Sequence, residues 1–77
     1  MQQTRLSDVK SSPNLRIVRV EERMNQHIVR LCELGFVPGA RLAILRQTKP
    51  SAPMIVTINN AQICVERSLA QCFWVES

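Results

Sequence analysis

The stretch Leu31 to Leu45, LCELGFVPGARLAIL, decides how this chain folds, because Gly35, Pro38 and Gly39 interrupt an apolar run there. Gly35 and Gly39 are the only 2 glycines in the chain. Upstream, Met24, Ile28, Leu31 and Cys32 fall at the spacing of one apolar stripe on a helix. Asn25 stands where an N-cap belongs, since its side-chain oxygen can accept from an unsatisfied N–H of the first turn. At the other end, Gly35 predicts a left-handed residue that stops the helix, with Phe36 folding back on Leu31. Val37–Ala40 (VPGA) then predicts a type II turn, in which Pro38 presets φ and Gly39 takes the positive value. Both glycines are expected to be geometric: together, helix, cap and turn reverse the chain within about five residues.

Working outward from this reversal, the remaining segments read as strands. Pro13 forces an extended path into Asn14–Val20 (NLRIVRV), which is rich in β-branched residues. Before it, LSDVK predicts a short turn opening at Ser7, with Leu6 and Val9 tucked against the body, and residues 1–3 are expected to fray. After the VPGA turn come a strand from Arg41 to Thr48, a loop KPSAP punctuated by Pro50 and Pro53, and the segments MIVTI and QICVE. Asn59-Asn60 between them can hold the positive φ values of a tight hairpin. RSLA reads as one helical or 3-10 turn and QCFWVE as the last strand. Five short strands and one helix between the first and second, in 77 residues, predict a mainly β fold. The expected form is a small closed barrel, which leaves no exposed sheet edge, in a single domain over residues 4–77.

Composition narrows the function. No apolar run approaches the roughly 18 residues of a spanning helix, and the N-terminal residues contain no hydrophobic signal core. The 3 cysteines, spaced 32 and then 8 apart, do not form a disulfide framework. The cytosol, with reduced thiols, is the expected compartment. The net charge of +4 suits an anionic partner or simply a solvated basic surface.

Catalysis is not expected. The two glycines cannot build a phosphate loop, and neither precedes a Lys-Ser or Lys-Thr pair. The single histidine, His27, lies five positions from Cys32, about 140° around a helix, so the two cannot form a local nucleophile–base dyad. No paired cysteine spacing marks a zinc site. Cys32 and Cys64 read as small buried hydrophobes, and Cys72 as a thiol that could be exposed. His27 and Cys72 are the metal candidates, and no cofactor is expected beyond a transition metal such as Fe2+ held by them. With Phe36 committed to the helix end, Phe73 and Trp74 are too few aromatics for a nucleic-acid stacking platform. If Phe73 and Val75 point inward, alternation turns Trp74 outward. There it is either covered by the N-terminal segment or free as an anchor for a peptide or a second subunit.

Three stretches, LSDVKSSPNLRIVRV, RLCELGFVPGARLAIL and ICVERSLAQCFWV, together resemble the FeoA family. Leu31, Leu34, Gly35, Phe36, Val37, Pro38 and Gly39 match its Leu-Gly to Pro-Gly core, and Ile63, Ala70, Phe73 and Val75 match its closing pattern. The chain departs from the family in the loop KPSAP, in Asn59-Asn60 and in Val65-Glu66-Arg67. The resemblance implies an SH3-like barrel with a helix after its first strand. It further implies a cytosolic, non-enzymatic accessory to ferrous iron uptake, recruited to the inner membrane face by a FeoB-type transporter. A stand-alone metal-responsive barrel is the alternative.

Overall fold

The computed structural model describes residues 3–21, 25–44, 49 and 51–77. The elements run β1 (Thr4–Arg5), a 3-10 turn (Leu6–Asp8), β2 (Ser12–Val20), α1 (Gln26–Glu33), β3 (Arg41–Ile44), β4 (Met54–Ile58), β5 (Ala61–Val65), α2 (Arg67–Ala70) and β6 (Phe73–Glu76). The fraying expected at Met1 and Gln2, the place of Met24 on the helix stripe, the Leu45–Thr48 end of the expected second strand, and Pro50 lie outside the described residues.

The fold is mainly β, as the sequence predicts, with 6 strands among the described residues where five are expected, in the order β1-β6-β2-β3-β4-β5. The added strand is Thr4–Arg5, too short to show alternation. It forms because β6 offers a free side, with Thr4 opposite Val75 and Arg5 opposite Trp74. The helix therefore follows the second strand. All pairings are antiparallel, and β2 serves two neighbours: its first half pairs with β3 and its second half with β6. Register shifts between Ser12 and Leu15 and between Ile17 and Arg19 give β2 extra residues on one side of each ladder. Such bulges bend a strand and increase its twist, which lets one sheet curl around a single core.

Among the described residues the hydrogen-bonded strand order is open, and other contacts complete the expected barrel there. β1 and β5 end the sheet order. β1 stops after two residues because the chain turns at Leu6 to bury that side chain completely. The seam is bridged by one guanidinium. Arg67, first in α2, donates from Nε to the Ala52 carbonyl at 3.1 Å, from Nη1 to that of Ser7 at 3.4 Å and from Nη2 to that of Lys49 at 3.4 Å.

Alternate residues of β2, β3, β4 and β6 face one core, closed from outside the sheet by Leu6, Ile28, Leu31 and Phe36. Phe36 and Phe73 are fully buried, with ring centroids 5.5 Å apart and planes tilted by 58°. That tilt suits the ring quadrupoles better than face-to-face stacking.

The helix ending explains how Phe36 gets there. Asn25 Oδ1 accepts from the His27 N–H at 2.7 Å, capping the N-terminus of α1. At the C-terminus the Phe36 N–H donates to the Leu31 carbonyl and the Gly35 N–H to that of Cys32, both at 3.0 Å. This is the paired 6→1 and 5→2 pattern of a Schellman ending, with Gly35 at φ +114°. Gly39 has φ +92°, and the Ala40 N–H closes the turn on the Val37 carbonyl at 3.0 Å. The turn is also fixed to β2: Gly39 donates to the Ile17 carbonyl at 2.7 Å, and Ile17 donates back to that of Ala40 at 2.9 Å. A reversal built from adjacent residues thus sets where β3 begins on β2.

Candidate functional site

Trp74 sits on β6, between β1 and β2, and the two registers place Arg5 and Arg19 directly opposite it on either side. With Phe73 and Val75 buried, all three side chains share the outer face. The guanidinium carbons of Arg5 and Arg19 lie 4.8 and 4.9 Å from the ring centroid, within range of cation–π attraction. The indole N–H donates to Glu21 Oε1 at 3.0 Å, and the same oxygen lies 3.7 Å from Arg5 Nη2. Arg5 also donates to the Gln71 carbonyl at 3.3 Å.

Trp74 is therefore turned outward but partly buried, and it is no bare apolar anchor. The N-terminal strand covers it in part, as one of the two sequence readings has it. What the face presents to a partner is guanidinium. A second row lies beside the first: Arg16 is opposite Glu76 on β6 and opposite Arg41 on β3. Arg16 forms an ion pair with Glu76, and Arg41 Nη1 donates to Asn14 Oδ1 at 3.1 Å. The sequence shows scattered arginines but not which strands lie beside β2. Arg5, Arg16, Arg19, Arg41 and Glu21 were therefore missed as a group.

The metal candidates fare differently. His27 is exposed on α1, whereas Cys72 is buried, correcting the expectation of an exposed thiol. Cys72 lies in the turn after α2, where helical geometry has replaced strand alternation, and its carbonyl accepts from the Glu21 N–H at 2.8 Å. Cys64 is exposed instead of buried, because inward Val65 beside it turns it to the outer face of β5.

His27 borders a groove of about 270 Å³ between α1 and the β5–α2 connection, together with Leu31, Leu34, Ile63, Cys64 and Glu66. No group of 3 or more His, Cys, Asp or Glu side chains among the described residues is placed to hold a metal ion. This donor set does not fit a closed transition-metal site, which takes four ligands in structural zinc centres. The motif residues Leu31 and Leu34 line this groove, and Leu34, Val37 and Pro38 are exposed.

These features define a class: a small SH3-like barrel with an arginine-rich outer sheet face. Residues 4–77 match the model of the FeoA domain, and the chain belongs to the FeoA family. Its fold is that of a FeoA crystal structure described as an iron uptake regulatory protein, with a TM-score of 0.83 at 21% identity over 97% of both chains. The FeoA protein of Chlorobium tepidum is 27% identical with a TM-score of 0.80, over 95% of this chain and 69% of that one. The FeoA of Stenotrophomonas maltophilia, an SH3 domain protein solved with zinc, is 24% identical with a TM-score of 0.74, over 94% of this chain and 88% of that one. No curated protein matches the chain. No helix among the described residues is long and apolar enough to cross a membrane.

Proposed function

We propose that this protein is a non-enzymatic accessory of ferrous iron uptake that docks on the cytoplasmic part of a FeoB-type membrane transporter. The observation that carries this reading is the match of residues 4–77 to the FeoA domain. The geometry agrees with a binding role. Among the described residues, the ionisable side chains of the outer face are paired with one another, laid on Trp74 or, for Arg41, bonded to the Asn14 amide, and none is set against a nucleophile. A module without chemistry of its own can alter transport only by binding a partner that has it. The cytoplasm, at the inner face of the membrane, is where such a partner presents its soluble part.

Retrieval of the transporter from detergent-solubilised membranes by the tagged protein tests the reading, together with ferrous iron uptake in a strain lacking the gene. Co-purification and impaired uptake are expected. Normal uptake in that strain, with no compensating transporter, would remove the assignment. Direct metal binding is the competing function, and the scattered donors argue against it. Anaerobic calorimetry with Fe2+ is expected to show no stoichiometric submicromolar site in the monomer. A tight site lost on changing His27 or Cys64 would reverse this.

A further inference from the structure

We infer that the outer face of β1, β6, β2 and β3 is a receptor for an acidic segment of a protein partner, whose Asp and Glu carboxylates are bound by Arg19 and Arg41. The inference rests on the reading of the chain as a binding module and names the surface and the chemistry it recognises.

The argument starts from charge matching. Among the described residues, four guanidiniums share this face with two carboxylates. Glu21 is engaged by Trp74 and Arg5, and Glu76 by Arg16. Arg19 rests on the indole ring and Arg41 on the neutral amide of Asn14, so neither has a carboxylate partner among the described residues. Both are exposed. Arg16 and Arg41 also stand directly opposite each other across β2 and β3, and like charges in that relation destabilise a sheet. An incoming carboxylate relieves the repulsion and satisfies the open guanidinium fork, whose planar donors match a carboxylate with two parallel hydrogen bonds. Preorganisation adds to this: Arg19 is held against Trp74, and Trp74 is held by Glu21, so less side-chain freedom is lost on binding.

The same face suits other anions less well. Single-stranded nucleic acid would need aromatic rings open for stacking, and the ring of Trp74 already carries two guanidiniums. An anionic membrane would need apolar side chains to insert beside the charges. Among the described residues, the exposed large apolar side chains are Val29, Leu34, Val37 and Ile55, on α1, the reversal after it and β4, and none is on the four strands of this face.

Fluorescence anisotropy of a fluorescein-labelled hexa-aspartate peptide, titrated at low ionic strength with the full chain, tests the inference. The expected result is saturable, salt-sensitive binding that shifts the emission of Trp74. The double variant Arg19→Ala/Arg41→Ala should weaken it about tenfold, from two exposed charge pairs. The charge-matched control Arg30→Ala/Lys49→Ala should keep the affinity within about twofold, because its charges lie off the face. Equal loss in both double variants, or no saturable binding, would overturn the receptor. So would tighter binding of a ten-nucleotide thymidine oligomer or of vesicles rich in phosphatidylserine. Retrieval of the transporter separates this from the functional reading. If Arg19→Ala/Arg41→Ala still retrieves it as well as the unmodified protein, the receptor falls and the accessory role stands. If the unmodified protein retrieves nothing yet binds the peptide, the accessory role falls and the receptor stands.

Discussion

The reversal from Leu31 to Ala40 and the outer face around Trp74 are built in opposite ways. In the reversal, the hydrogen bonds that stop α1 and close the turn join residues at most five positions apart. On the outer face, Trp74 and its acceptor Glu21 are 53 positions apart, and Arg16 and Glu76 are 60 apart. The first region is specified by backbone conformation and the second by strand register. Backbone conformation is costly to violate and indifferent to salt. Exposed side chains aligned by register contribute little to stability individually, so they can be chosen for what they bind.

The two glycines provide the sharpest way to break this comparison. Gly35→Ala is expected to cost about 2–3 kcal/mol, because a residue with a side chain is strained at this φ. The new Cβ would also stand 2.6 Å from Asn59 Nδ2. Urea unfolding measures the loss. Adding Asn59→Gly, which tolerates the φ of +52° at that hairpin position, should recover part of it, which separates the contact from the backbone strain. Gly39→Ala should cost less, about 1–2 kcal/mol, since nothing lies within 4 Å of a Cβ there. A larger loss at Gly39 than at Gly35 would show that packing contributes nothing to the difference. The smallest effect belongs to the outer face: Arg16→Ala should shift stability by less than about 1 kcal/mol at moderate salt. A loss as large as that at Gly35 would mean that this face is structural.

The same contrast explains what could be read in the sequence. The N-cap at Asn25, the glycine stop, the VPGA turn and the Asn59-Asn60 hairpin all depend on neighbours in the chain, and each appears with the expected geometry. Thr4–Arg5 could not be read, because two residues become a strand only when β6 lies beside them. The arginine rows were hidden for the same reason: Arg5, Trp74 and Arg19 meet through two separate registers. Cys64 was legible and misread, since Val65 facing the core already required it to face out. Cys72 was not legible, because the turn after α2 interrupts the alternation that Phe73 resumes.

Arg67 carries a further consequence, for how the molecule breathes. The segments at Ser7, Lys49 and Ala52 are tied at the seam to one hub, whose three bonds are 3.1–3.4 Å long. Each such bond is worth about 0.5–1.5 kcal/mol net, so these three together contribute about 1.5–4.5 kcal/mol. That is less than the roughly 5–15 kcal/mol needed to unfold a typical domain. A loosening of these segments, with Leu6 still in the core and the β2–β3 and β2–β6 ladders intact, is therefore an excursion that lies below global unfolding. Because the ties share one side chain, the segments let go together, and amide protons there should exchange with solvent as a single unit, well before those of β2.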